Sequence, residues 1–245
     1  MTDFVHQVRE GTEWMRVRSK SKDGYASAAM AERRRRIFET TRELMSEQGV
    51  DGFSVNEVCR RAGVARQTIY QRYGTRDDLM AAAMLDLFER SESLIPYHHP
   101  PGSLERLIER MVGIGTRNLG MRGYIAALTA FYFNPASSRE LRAAMHAITS
   151  LSQRPYVEKL ADSGLLQPWM TVEQLLTDLD AQRMIVVSQW VNGQLPDERM
   201  IDAMVKTLLT YLLGCVRPTA QQDISHTLLC VHEQGAAAFL RSSSV

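Results

Sequence analysis

The ten residues from Arg66 to Thr75, RQTIYQRYGT, carry two Arg, two Gln and two Tyr but a single aliphatic side chain, Ile69. These residue types are the ones that read double-stranded DNA. Arg66 can pair bidentately with a guanine and Gln67 with an adenine, while the Thr68 methyl can meet a thymine methyl. Tyr70, Gln71 and Arg72 offer hydroxyl, amide and guanidinium groups suited to phosphate oxygens, which fix register without reading sequence. Ser54 and Arg76 each stand near the start of a helix, where flanking phosphates are held. The spacing places Ile69 and Tyr73 together with Val64 on the opposite, core-facing side.

The surrounding sequence supplies elements that could hold such a helix. Ile37, Phe38, Thr41, Leu44 and Met45 mark one face of a helix that Gly49 is expected to stop. Ser54 and Glu57 have capping-box spacing and open a short helix with Val55, Val58, Cys59 and Ala62 inward. Gly63 can take positive φ and turn the chain into VARQTIYQRYG. Two short helices joined around a glycine form a helix-turn-helix, whose second helix enters the major groove. Thr75 and Asp78 repeat the capping-box spacing at the start of a longer helix through Leu79, Ala83, Met84, Leu87 and Phe88.

Charge agrees with this placement. The 245-residue chain has a net charge of +1, yet residues 1–76 carry a net +5 and residues 77–245 a net −4. A basic head on an acidic body is an electrostatic footprint for a polyanion at one end. Residues 1–30, with Arg16, Arg18, Lys20 and Lys22, read as a basic arm or an extra helix around Phe4 to Trp14, able to add phosphate or minor-groove contacts.

Beyond residue 76 the 3.6-residue period predicts helices near 103–119, 122–133, 136–163 with a bend at Pro155, 172–192 and 196–213. One further helix and a frayed end are expected over 217–245. Strand signals are nearly absent, so the fold class is all-α. The expected organisation is an arm (1–30), a three-helix DNA-binding domain (31–76), a helical ligand-binding and dimerisation domain (77–216) and a C-terminal extension (217–245). No apolar run approaches the roughly 18 residues of a membrane span, and the N-terminus lacks a signal-peptide core. Three cysteines without CxxC spacing suit a reducing compartment, so the expected location is the cytoplasm.

The stretch from Arg33 to Met84 resembles the DNA-binding domain of the tetracycline-repressor (TetR/AcrR) family of bacterial transcription regulators. That family reads, in outline, "G…T", then "A-G-V", then "S-x-x-T-L-Y-x-Y-F-x-S-K-E-x-L". This chain offers Gly52 and Ser54, then Ala62-Gly63-Val64, then Ala65, Thr68, Ile69, Tyr70, Arg72, Tyr73, Thr75, Arg76, Asp77 and Leu79. Ala65 departs from the usual Ser and loses a cap. Arg72 departs from the usual aromatic or His and strengthens a phosphate contact.

The resemblance implies a regulator, most often a repressor, that binds a pseudo-palindromic operator as a homodimer and leaves it when a small-molecule effector binds. It also implies that the last two main helices, here 173–192 and 196–213, build the two-fold interface. The second carries a stripe of Met200, Ile201, Met204, Val205, Leu208, Leu209, Leu212 and Leu213, wider than one core face needs. Leu107, Met111, Phe131, Phe133, Met145, Met184 and Trp190 are expected as apolar walls of a ligand pocket, and Arg117, His146, Arg183 and Gln189 as groups that orient the ligand's polar end. The helix after Thr75 joins the two parts and is the expected lever between them.

Other chemistry has less behind it. His98-His99 reads as a solvated turn. Cys230, His232 and His226 fall short of a four-ligand metal set, so no metal or cofactor is expected. No Ser-His-Asp order, phosphate loop or carboxylate pair argues for an enzyme. A second reading keeps the fold as a protein-interaction module, or as a regulator without a small-molecule inducer.

Overall fold

The computed structural model describes residues 24–243. Arg16, Arg18, Lys20, Lys22 and the expected helix around Phe4 to Trp14 lie outside the described residues. Within them are twelve helices, and the only strand-like pairing described is an isolated antiparallel bridge between Leu166 and Val216.

Helix α1 (Gly24–Gly52) is interrupted at Gly49, which has φ 74°. It extends upstream of the apolar period through an alanine-rich stretch whose Ala28, Ala29 and Met30 are exposed, so helix propensity rather than burial carries it there. Its inner face, Ile37, Phe38, Thr41, Leu44 and Met45, is buried. Helix α2 (Val55–Ala62) follows, with Ser54 Oγ accepting from the Asn56 N–H at 3.2 Å. The expected capping box is not completed, because Glu57 turns away to bind Arg60 and Arg61. Gly63 takes φ 64° and ψ 45°, the left-handed conformation that lets α2 end and the chain reverse. Helix α3 (Arg66–Tyr73) has no side-chain cap at Ala65. Helix α4 (Arg76–Ser93) has the complete capping box of Thr75 and Asp78.

The remaining helices are α5 (Leu104–Leu119), α6 (Arg122–Phe133), α7 (Arg139–Ser150), α8 (Arg154–Asp162), α9 (Val172–Val191), α10 (Asp197–Cys215), α11 (Pro218–Gln234) and α12 (Ala236–Ser243). Where one bent helix was expected over 136–163 there are two. Pro155 sits in the first turn of α8, where its missing N–H costs nothing, so it opens a new helix instead of bending an old one. The C-terminal region likewise holds two helices rather than one, parted at Gly235 (φ 83°).

Helix α1 packs on α2, α4 and, most extensively, α6; α4 also packs on α7. Gly123 of α6 faces Ser46 of α1 so closely that a Cβ there would stand 2.5 Å from the Ser46 Oγ. Helix α10 packs on α9, α11 and α5. Its stripe is therefore core within one chain: Met200, Met204, Val205, Leu208, Leu209 and Leu212 are all buried, and only Ile201 and Leu213 are partly open. The width of the stripe reflects burial from three sides, with α11 supplying a side that the sequence reading did not assign.

Candidate functional site

Helix α3 is built as a presented surface. Ile69 is 1 % exposed, and Tyr73 packs its ring against Phe38 at 5.6 Å; these two anchor the helix. Arg66, Gln67, Tyr70, Gln71 and Arg72 are exposed on the other side, with Thr68 half-buried between. Arg66 lies over the Tyr70 ring at 5.2 Å, its Nη2 3.4 Å from the Tyr70 hydroxyl. The pair is thus arranged before any ligand arrives. The basic side chains on neighbouring α2 are neutralised locally: Arg60 by Glu57, and Arg61 by Glu57 and Glu47. Arg66 and Arg72 form no ion pair with another described residue, so α3 presents two uncompensated positive charges.

Of the two residues expected at the flanks, Ser54 stands where the spacing put it and Arg76 does not face outward. Ser54 is exposed at the start of α2, where its oxygen caps the helix. Arg76 turns inward. Its Nε donates to the Phe53 carbonyl at 3.2 Å, its Nη2 donates to the Val50 carbonyl, and the guanidinium covers the Phe53 ring at 5.2 Å. The structure therefore shows Arg76 as a brace that ties α4 to the end of α1 and the loop that follows it. Arg36 does the same at the turn, donating to the Ala62 carbonyl at 2.9 Å.

A second feature lies behind this head. Helices α4, α5, α6, α7 and α9 enclose a cavity of about 100 Å³. Its apolar wall includes Met84, Leu87, Phe88, Ile114, Met145 and Met184, and its polar groups include Arg110, Arg117, Tyr124, Thr129 and Arg183. Two of the three arginines are already paired: Arg110 Nε to Glu92 at 2.9 Å, and Arg183 Nη2 to Asp180 at 2.6 Å. Burial pushes the Asp180 carboxyl up, but Arg183 and His146 outweigh it and hold the group below its ordinary value. Arg117 has no acid. Its Nε and Nη1 are buried and unpartnered, as is the Tyr124 hydroxyl, and burial pushes the Arg117 guanidinium down to about 10.

Of the expected pocket residues, the structure brings Arg117, Arg183, Met145 and Met184 to this cavity. It does not bring the others. Met111 and Phe131 are spent in the core. Trp190 is buried with its indole N–H donating to Asp197 at 2.8 Å and Arg122 over its ring. His146 faces Asp180 at 3.7 Å. His99 is not a solvated turn residue, since its Nδ1 lies 2.8 Å from the buried Glu109. Cys230 Sγ lies 3.7 Å from His226 Nε2, and among the described residues no group of three or more His, Cys, Asp or Glu is placed to hold a metal.

Residues 37–83 match the family model described as bacterial regulatory proteins, tetR family. This span carries the DNA-binding domain of that family. The matched span contains the inner face of α1, both helices of the helix-turn-helix and the first part of α4, so the tetR-family assignment rests on the presented helix and its frame. The HTH-type transcriptional repressor KstR of Rhodococcus jostii (strain RHA1) is 28 % identical over 161 residues, covering 64 % of this chain and 73 % of KstR. Among solved structures, Thermus thermophilus FadR, a TetR-family transcriptional repressor in complex with lauroyl-CoA, superposes with a TM-score of 0.54 at 20 % identity. The match covers 74 % of this chain and 94 % of FadR. Bacillus subtilis FadR in complex with stearoyl-CoA gives 0.53 at 18 % identity, over 71 % and 94 %. These two similarities show the shared tetR-family fold. Tyr124 and Arg110 were not singled out from sequence. The spacing of Arg110 and Arg117, seven residues on one helix, was the available signal that both face one way.

Proposed function

We propose that this protein is a tetR-family regulator that binds a pseudo-palindromic operator as a homodimer, in which α3 of each copy enters the major groove, and that a small ligand held behind α4 releases it. The observation that supports DNA reading most is the exposed row Arg66, Gln67, Tyr70, Gln71 and Arg72 on a helix anchored by Ile69 and Tyr73. Arg66, Gln67 and Thr68 stand in the first turn, where base edges are reached; Tyr70, Gln71 and Arg72 meet the backbone. Ser54 stands at the N-terminus of α2, where backbone N–H groups and the helix dipole favour a phosphate. Arg76 acts here by holding the frame. The basic residues of the N-terminal arm add backbone contacts, and the protein works in the cytoplasm.

The dimer face is assigned to the outward side of α9 and α10. Ile185 is 44 % exposed on α9, and Trp169 is 71 % exposed in the segment that precedes that helix. Thr207, Thr210 and Gly214 offer small surfaces on α10 that line a groove with Trp169 and Tyr211. Small residues of this kind let helices from two copies approach closely. A two-fold assembly would set the recognition helices about 34–36 Å apart, one turn of DNA.

Residues 31–76 are assigned as the reading head and 77–216 as the sensing and dimerising body. The cavity connects them. Met84, Leu87 and Phe88 of α4 form part of its wall, and the same helix is tied to α1 through Asp86. A ligand that prefers a shifted α4 thereby changes the spacing of the two heads; equal affinity for both positions would shift nothing. A gel-shift against the DNA upstream of the protein's own gene, followed by random duplex at equal salt, tests the reading. Equal affinity for both duplexes would overturn sequence-specific binding.

A further inference from the structure

We infer that the effector is a small monocarboxylate, its carboxylate clasped by Arg117 and Tyr124 and its apolar body lying against the methionine-rich wall. This deepens the ligand-responsive reading above and rests on it. Three arginines border the cavity, and two carry their own acids: Glu92 for Arg110 and Asp180 for Arg183. The third, Arg117, presents two buried N–H groups without an acceptor. The Tyr124 side chain is 4 % exposed, lines the same cavity, and keeps a buried hydroxyl without a partner. An orphaned buried donor costs free energy in every molecule of the ligand-free protein. Two such groups at one cavity are satisfied together by an acceptor with two oxygens and one negative charge, which is a carboxylate.

The remaining surface limits the rest of the ligand. Each of the other two guanidiniums has its own acid, so the site as a whole calls for one negative charge. A doubly charged phosphate would leave one charge buried without a counter-ion. The cavity is about 100 Å³, smaller than a void known to admit benzene. Met84, Met145 and Met184 in its wall have flexible, polarisable side chains that adjust to an unbranched chain. Arg117 also borders a wider groove of about 610 Å³ on the far side of α5, lined by Ile95, Pro96 and Leu240. The charged head therefore lies where the cavity approaches the outside, with the hydrocarbon inward.

The probes are hexanoate and its neutral counterpart hexanamide, titrated calorimetrically into the full-length protein and into R117Q, R117K and Y124F. Hexanoate is expected to bind wild type at least tenfold more tightly than hexanamide. R117Q should weaken hexanoate about 10- to 100-fold, and Y124F about fivefold, with R117K recovering part of the loss and hexanamide losing markedly less than hexanoate in R117Q. Hexanamide binding as tightly as hexanoate, or hexanoate failing to bind, overturns the assignment. If R117Q does not fold by circular dichroism, Y124F decides, since it removes one hydroxyl without a change of shape. The DNA reading is separated by a gel-shift with hexanoate present. Binding at Arg117 without release of DNA keeps the carboxylate site and sinks the sensor reading. Release by a neutral compound, with no carboxylate bound, does the reverse.

Discussion

Arg42 Nη1 reaches Asp86 Oδ2 at 3.3 Å, and both side chains are about nine-tenths buried. This pair ties α1 of the reading head to α4. Asp86 also receives Arg90 at 3.0 Å and Arg34 at 3.6 Å from more exposed positions. Replacing Asp86 with Asn leaves Arg42 charged and buried, with the Ala83 carbonyl as its other acceptor. Breaking a buried pair on one side typically costs about 3–5 kcal/mol, and the retained carbonyl places D86N near the lower end. R90A, at an exposed position, should cost under about 1 kcal/mol. Urea unfolding of the two variants measures the difference; equal small losses would show that the junction does not depend on Asp86.

The residues of α3 and its flanks should separate by the kind of DNA loss they cause. R66A or Q67A should lower the preference for the cognate site by about 1–3 kcal/mol at one base pair. R72A should weaken all duplexes alike and make the salt dependence shallower by roughly one counter-ion. R76M should behave as neither. It removes the donors to the Val50 and Phe53 carbonyls, so melting without DNA should fall by an amount equivalent to about 1–2 kcal/mol. An unchanged melting temperature with weakened DNA binding would make Arg76 a phosphate contact.

Much of the head was legible because its signals are local. The paucity of aliphatic residues between Arg66 and Thr75, the turn glycine Gly63 and the Thr75–Asp78 box each act within a few residues, and the structure has each where the spacing put it. The inward partners of Arg76 were not legible because they are carbonyls 23 and 26 residues away. Periodicity says nothing about such partners. The same limit hid the docking of α6 on α1, although the helix itself was expected at 122–133. The cavity arginines divide on this line too. Asp180 lies three residues before Arg183, an ion-pair spacing open to anyone reading one helix. Arg117 has Gly113, Ile114, Gly120 and Met121 at those distances, so its lack of a local acid is visible in sequence.

Charges on α9 and α10 should distinguish core from interface. L208E places a carboxylate in a position 3 % exposed within one chain, so it should unfold the body rather than yield a folded monomer. I185E places the same charge on the outward face and should keep the fold. Across a two-fold axis the charge meets its own copy or an apolar partner, so sedimentation should move from dimer to monomer at micromolar concentration. A folded dimer of I185E would move the interface elsewhere.

Acid should loosen the wall of the cavity at Asp180. Burial alone would raise this carboxyl, yet Arg183 and His146 hold it below the ordinary 3.8. A depressed acid contributes stability that is fully present above its unfolded value and is lost as pH falls through the folded one. Wild type should therefore exceed D180N in stability at pH 7, and the gap should close below about pH 4. A gap that stayed constant down to pH 2 would mean that the charge of Asp180 does not matter.

Arg117 gives the opposite kind of expectation, a variant more stable than the natural protein. Its guanidinium is pushed down to about 10 by burial without an acid to compensate, so at neutral pH the ligand-free fold carries the cost of a largely desolvated charge. For a base with a lowered value that cost is full below about 10 and is relieved only as pH rises through it. Arg117→Met keeps the length of the stem and removes the charge, in a wall already rich in methionine. Part of the side chain reaches the outer groove, so solvent screens some of the penalty and the gain should be on the order of 1–2 kcal/mol. At this chain length that raises the melting temperature by roughly 2–4 °C for each kcal/mol. The same variant should lose the extra stabilisation that hexanoate gives wild type, a trade of stability against binding of the sort expected where a site holds an unsatisfied charge for its ligand. Thermal melts of both proteins with and without hexanoate measure both effects. A destabilised R117M would show that the guanidinium is satisfied within the fold and is not held for an anion.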